Sequence, residues 1–524
     1  MPNPYSQSRI GLAGLIKTVG APSLAELVFV QLLLVKFGAG QSWRALLFDG
    51  DAGWHIRTGA SILQSGAVPV RDLFSFSRPD QPWFAWEWLA DVTFALLHGW
   101  GGLTAVAGFT AVVLCLSSAL LFCWLLRCGA GLWIALGVTL AAVSASSVHY
   151  LARPHIFSLL LFTVALWIVD EDRRKATPLV WALVPLCALW ANLHGGFVAW
   201  LVTLAILLGA TAAERNWIRL RRYSWLTALC AAATLVNPYG WRLHEHIIRY
   251  LGSSWILDNV QEFQSPHIRS ENMMVFAIFL LAGCALAGKV LARGNYFEGA
   301  LALLWGLASL RSARHIPLYM IAASPVIASE AAAWWAGFSA RSSARSVARI
   351  FWDSGQELGR SRRLGVWGLA LGALSLYIVW PQIRIADFPD SQFPVAAVAR
   401  NLGRLAPSAS MPRVLTSDQW ADYLIYRLYP RQRVFFDGRS DFYGPAIGGD
   451  YKDLLAGAHR WPELFALYGF EVALLPVDWP LSSILELDPH WQSVYRDAQA
   501  VLFVRRPLEL KLRSGTAEWK ESAG

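Results

Sequence analysis

Apolar residues in this chain fall in long runs, not in the short rhythm of a soluble fold. The runs cover roughly 22–40, 101–126, 131–148, 155–170, 178–192, 196–213, 223–236, 273–292, 297–310, 315–337 and 364–380. Most approach the length that crosses a hydrocarbon layer, about 20 residues. They predict a polytopic α-helical membrane protein of about eleven spans. The segment Trp88–Trp100 is apolar on one side only and reads as an interfacial helix. After Pro381 the pattern changes. Val414–Thr416, Arg433–Phe436, Glu471–Pro476 and Ala498–Val504 read as strands, and Trp420–Leu428 and Trp461–Tyr468 as helices. That alternation predicts a C-terminal α/β soluble domain with a partly parallel sheet. The expected organisation is a transmembrane part, 1–380, with a large first outer loop (41–100), followed by a second domain, 381–524.

Composition agrees. Apolar residues make up 55% of the chain and charged residues 15%, against about 25% charged in soluble domains. The formal charge of +9 is then a matter of topology and not of nucleic acid, which is expected to be no partner. With the N-terminus inside, Arg127, Arg173, Arg174, Lys175, Arg215–Arg222, Lys289, Arg293 and Arg341–Arg363 all fall in inner loops. This positive-inside pattern puts the last domain outside. All eleven histidines fall on the outer side as well. Arg9 and Lys17 precede a first run with no small-residue cleavage site, which reads as an uncleaved span. The six cysteines sit in or beside apolar runs and read as packing residues, not as a disulfide or zinc framework.

Polar chemistry concentrates where spans end on the outer side. The first loop opens Asp49-Gly-Asp51-Ala-Gly-Trp54-His55-Ile-Arg57 and later carries Glu87. The next loops hold Arg153-Pro-His155, then His194-Gly-Gly, then His244-Glu-His246, then Arg311 and Arg314-His315. Ionisable groups at a membrane default to function, less strongly at span ends. Asp49 and Asp51 are hard oxygen ligands that could hold Mg²⁺ or Mn²⁺. Alternatively, one of them could take a proton from a hydroxyl. A lone D-x-D also caps loops. Arg57, Arg153, Arg311 and Arg314 suit a phosphate, although arginines at such positions also snorkel to headgroups.

Asp51-Ala-Gly-Trp54-His55-Ile-Arg57 and Trp420-Ala421-Asp422-Tyr423-Leu424 resemble motifs of the GT-C superfamily of polyprenyl-phosphate-sugar-dependent glycosyltransferases, and within it oligosaccharyltransferase catalytic subunits. The Pro of the first motif and the second Trp and the Gly of the other are replaced, and the second outer loop lacks the family's second acidic motif. The chain also resembles a group of bacterial multi-span proteins through W-H-x-R-T-G, R-P-H, N-L-H-G-G, N-P-Y-G and D-G-R-x-D-x-Y. The resemblance implies a GT-C-like fold in a bacterial inner membrane, N-terminus cytoplasmic and last domain periplasmic. It implies transfer of a sugar from a polyprenyl-phosphate carrier to a periplasmic acceptor. Asp51, Asp49 and His55 would be catalytic, with Asp49 and Asp51 the candidate metal ligands. Arg57, Glu87, Arg153, His155, His194, Arg311, Arg314 and His315 would bind the donor. Trp420, Asp422, Tyr423, Asp437 and Arg439 would close the acceptor side. A metal-independent surface-glycan polymerase or ligase is the alternative enzyme. A lipid or glycan transporter is the non-enzymatic one.

Overall fold

The computed structural model describes residues 22–38, 42–359, 366–379, 383–400 and 412–506. Arg9, Lys17, Arg360, Arg362 and Arg363 of the topology argument lie outside them. Every apolar run is helical where described: Leu24–Gly38, Trp88–Arg127, Gly131–Ser146, His155–Arg174, Leu183–Leu193, Phe197–Ala213, Trp217–Ala233, Glu271–Ala292, Tyr296–Arg311, Ile316–Arg341 and Val366–Val379. Among the described residues, four stretches are long and apolar enough to cross a membrane: Trp88–Arg127, Gly131–His149, Asn272–Ala292 and Ala313–Arg341. Pro178–Leu193 and Phe197–Ala213 are apolar but shorter. The long helix from Trp88 is broken at Gly101 and Gly102, the latter at φ +62, a conformation that favours glycine. The break separates Trp88–Trp100 from the apolar run after it.

Arginine–carboxylate pairs join the helices at the end where the inner loops were expected. Arg173 meets Glu214 at 3.0 Å, Arg222 meets Asp172 at 2.8 Å, and Arg293 meets Glu330 at 2.5 Å. The described cysteines are all free.

The C-terminal part carries a four-stranded sheet of order β1-β2-β4-β3, formed by β1 (Val414–Leu415), β2 (Val472–Pro476), β3 (Trp491–Arg496) and β4 (Ala500–Arg505). β1 and β2 are parallel, pairing Val414 with Val472, and the other pairs are antiparallel. The apolar runs of β2 and β4 are buried almost end to end, as central strands require. Arg433–Phe436 is not a strand of this sheet. It makes only single bridges, Val434 to Val414 and to Ser75, and so ties the segment before helix Trp88–Arg127 to the sheet. Two hydrogen bonds seal that tie, Val434 N–H to Phe74 O at 2.9 Å and Phe76 N–H to Val434 O at 2.9 Å. β3 was absent from the pattern because its polar Gln492, Ser493 and Arg496 suit a half-exposed edge.

The two parts meet through helices Asp51–Ser65 and Asp418–Leu428. Gly53 permits the approach. A Cβ there would stand 2.6 Å from the carbonyl oxygen of Asp422 and 2.9 Å from Cβ of Tyr426.

Candidate functional site

A cavity of about 350 Å³ opens beneath this junction. Its polar pole is formed by Asp51, His55, Glu87, Arg153, His155, His194, Glu262, Arg314, His315 and Arg439. Its other wall is apolar, with Val198, Ala199, Val202, Ile247, Leu251 and Leu318. Val202 and Leu251 are also exposed on the outside of the helices, at 48% and 44%.

Arg153 is the hub of the pole. Its guanidinium meets Asp51 at 2.6 Å, Asp49 at 3.1 Å and Glu262 at 3.2 Å. Asp49 also accepts the backbone N–H of Asp51 at 2.9 Å, which fixes the turn into the helix. Arg314 lies 3.8 Å from Glu262, donates to the hydroxyl of Tyr250 at 3.1 Å, and sits over the ring of Phe263. One guanidinium shared by three carboxylates cannot hold all of them down equally. Burial pushes the Asp51 carboxyl up to about 7 against the pull of Arg153. Glu262 faces both arginines, which outweigh its burial and hold it well below the usual carboxylate range.

A second polar cluster of the same wall centres on Glu87. His55 Nδ1 is 2.5 Å from Asp91, and its Nε2 is 3.7 Å from Glu87. Glu87 is 3.5 Å from His194 on its other side. Burial pushes Glu87 up to about 8 and both imidazoles well below their ordinary range, the nearby Arg153 adding to the latter.

The C-terminal domain closes the site from above. Asp422 is fully buried, accepts the N–H of Gly438 at 3.1 Å, and stands within hydrogen-bonding range of Asp51. A Cβ on Gly438 would lie 2.1 Å from Asp51 Oδ1 and 2.8 Å from Asp422 Oδ2, so only glycine fits this lid. Arg439 is held by Asp437 at 2.7 Å and Asp72 at 2.8 Å, its guanidinium flanked by Phe74 and Trp83. Tyr443 donates to Asp437 at 2.7 Å.

The remaining candidates stand elsewhere. Arg57 donates to the carbonyl of Tyr426 at 2.7 Å and clamps the domain junction. Trp420 donates to Gln392 O at 2.8 Å, and Tyr423 to Asp387 at 3.0 Å, both within the C-terminal domain. Arg311 is exposed and outside the cavity lining. Tyr250 and Ser158 were not among the expected site residues, and Asp91 and Glu262 were candidates by location alone. Asp91 had one signal, its four-residue spacing from Glu87 on an otherwise apolar helix face.

A divalent metal between Asp49 and Asp51 does not fit this arrangement. The Arg153 guanidinium already occupies the space between the two carboxylates. Among the described residues no three His, Cys, Asp or Glu side chains are grouped to hold a metal.

No family model matches the sequence, and no curated protein does. Solved structures match in shape. The archaeal oligosaccharyltransferase AglB from Archaeoglobus fulgidus, in complex with an inhibitory peptide and a dolichol-phosphate, superposes with a TM-score of 0.55 at 12% identity over 87% of this chain and 69% of that one. The fold is the GT-C fold. The apo form of the Archaeoglobus fulgidus oligosaccharyltransferase gives a TM-score of 0.51 at 10% identity with the same coverage. ArnT from Cupriavidus metallidurans bound to undecaprenyl phosphate gives 0.47 at 14% identity over 91% and 97% of the two chains. The two oligosaccharyltransferase matches, at 12% and 10% identity, show the fold alone, and that fold is the GT-C-like one expected from the motifs.

Proposed function

We propose that this GT-C protein is a glycosyltransferase that moves a sugar from a polyprenyl-phosphate carrier to an acceptor hydroxyl. It would work at the periplasmic face of a bacterial inner membrane. The observation that carries this reading is the two-part cavity. Its polar pole joins carboxyls to two arginines, and its apolar wall runs to exposed Val202 and Leu251. Such a wall suits a lipid chain, and the pole suits the phosphate at its end.

In this reading Arg153 and Arg314 hold the carrier phosphate and stabilise the charge it gains as it leaves. The acceptor oxygen bonds to the anomeric carbon, the bond from that carbon to the phosphate oxygen breaks, and the electron pair departs on the phosphate. A cavity carboxylate removes the hydroxyl proton. Asp51 was the expected base, and Glu87 shares the cavity with it. Gly438 and Arg439 would bound the acceptor side. The seat of Arg153 favours the metal-independent form of the reaction, since its fixed positive charge stands where a divalent ion would serve.

The test is reconstitution in lipid with a panel of polyprenyl-phosphate-linked sugars. Wild-type protein should release the carrier phosphate and transfer the sugar, and Arg314→Ala should lose at least 100-fold in rate. Equal rates for Arg314→Ala, Arg153→Ala and wild type would sink the site assignment.

A further inference from the structure

Six buried polar groups form a row along the cavity wall, each at most 9% exposed: Ser158, His194, Glu87 and His55 line the cavity, with Trp190 and Asp91 at the two ends behind it. Their hydrogen-bond directions can be read in order. The Trp190 indole can only donate, and it donates to Ser158 Oγ at 2.7 Å. The backbone N–H of Gly196 donates to His194 Nδ1 at 2.9 Å, so that nitrogen carries a lone pair. Ser158 therefore donates to it as well, at 2.7 Å. The proton of a neutral His194 is then on Nε2, which faces Glu87 Oε1 at 3.5 Å.

On the far side, His55 Nδ1 meets Asp91 at 2.5 Å. With Asp91 accepting, His55 Nε2 presents a lone pair to Glu87 Oε2 at 3.7 Å. A carboxylate facing a lone pair gains nothing, whereas a carboxylic acid donates to it. The chain runs in one direction, from Trp190 to Asp91, only when Glu87 carries a proton. The gaps on either side of Glu87 are wider than hydrogen bonds, as is common in catalytic sites before ligand binds.

We propose that Glu87 is the acid–base residue of the cavity, with His55 and Asp91 as the positioning pair that stores its proton. The proposal rests on the transferase reading above. Glu87 passes its proton to His55 Nε2, and His55 passes its Nδ1 proton to Asp91. The imidazole stays neutral in its other tautomer, and the negative charge moves from Asp91 to Glu87. The Glu87 carboxylate then takes the acceptor's hydroxyl proton as the new bond to the anomeric carbon forms and the bond to the phosphate oxygen breaks.

Asp51 is less free to do this. One of its oxygens is fixed by Arg153, and the other lies under Gly438 against Asp422. Glu87 borders the cavity directly. The groups that face it are His55 and His194 at close range, with Asp91 beyond His55 and Arg314, Arg153, Asp51 and Asp441 around them. Burial raises Glu87 and the two arginines oppose this, which agrees with a proton held there at neutral pH.

The experiment has two arms, both on the full chain in lipid. Infrared spectroscopy at pH 7 should show a protonated-carboxyl stretch that Glu87→Gln removes and His55→Gln shifts in its titration. A band unchanged in both variants overturns the proposal, and His55→Gln alone decides if Glu87→Gln does not fold. In the kinetic arm, Glu87→Gln should lower kcat by about 10²–10⁴-fold with little change in donor KM, and should abolish the rise of rate with pH. Asp51→Asn should keep that pH limb. The reverse pattern overturns the proposal. Absence of transfer by wild-type protein from every carrier tested defeats the transferase reading instead, and the infrared arm still decides where the proton sits.

Discussion

Gly53→Ala tests the junction on which the site depends. The added methyl would stand 2.6 Å from the carbonyl oxygen of Asp422, whereas an ordinary contact begins at 3.4 Å. That oxygen belongs to a helix backbone and cannot rotate aside. The two helices must separate by several tenths of an ångström. Within an isolated helix, Gly to Ala stabilises by about 1 kcal/mol. Overpacking of this kind costs ~1–3 kcal/mol. The net effect is destabilising by up to about 2 kcal/mol, and the larger loss is functional. The displaced helices carry Asp51 and Asp422, and misplacement near 1 Å can cost about 10²-fold in rate. The control is Gly137→Ala, in helix Gly131–Ser146, where an added Cβ meets nothing within 4 Å. It should keep the propensity gain and show no overlap penalty. Thermal unfolding of both variants in the same lipid, followed by protease sensitivity between the two parts, gives the comparison. A Gly53→Ala protein as stable as Gly137→Ala, with unchanged protease sensitivity, would refute the reasoning.

Other consequences can be measured separately. Sugar transfer should persist in EDTA, because Arg153 supplies the charge; loss of transfer in EDTA with recovery in Mn²⁺ would show that a metal serves after all. Asp72→Asn leaves the buried Arg439 with a single carboxylate partner and should cost about 3 kcal/mol, much of it absent in the background of Arg439→Met, as a double-mutant cycle would read. The Asp51 carboxyl is raised from 3.8 to about 7 on folding, so its contribution is complete below pH 4 and is lost as pH rises toward 7 and above. Asp51→Asn should flatten that fall, which runs at up to ~1.4 kcal/mol per pH unit, in a pH series of unfolding curves.

The helices and the two-part organisation were legible because burial in a membrane or a core leaves a one-dimensional trace. The runs around Gly131 and Phe197 are apolar on nearly every face, and β2 and β4 are apolar until Arg505 at the end of β4. The cavity was legible only through residues that interrupt such runs. Asp51, Arg153, His194 and Arg314 each stand where an apolar segment ends. What was not legible is pairing across distance. Nothing local in Arg57 says that its partner is the Tyr426 carbonyl, or that Glu262 will share Arg153 with Asp51. Trp420 and Tyr423 have the composition of a recognition motif, but their polar atoms are spent on Gln392 and Asp387 inside their own domain. The strand expected at Arg433–Phe436 shows the same limit. Val434 pairs with Ser75 far back in the chain, while Phe435 packs on Tyr468 and Phe470 and Phe436 on Tyr443 and Tyr451, which no local pattern reveals.

The Asp437-Gly438-Arg439 turn has a consequence for biosynthesis. It covers Asp51, but it is made only after most of the polypeptide has left the ribosome. A nascent chain therefore carries its carboxyls and arginines without a roof, open to water and to passing lipid. In the finished molecule Gly438 lies directly over Asp51, between it and Asp422. Products truncated before Asp437 would keep Asp51 and Arg153 but lack the cover that Gly438 places over Asp51.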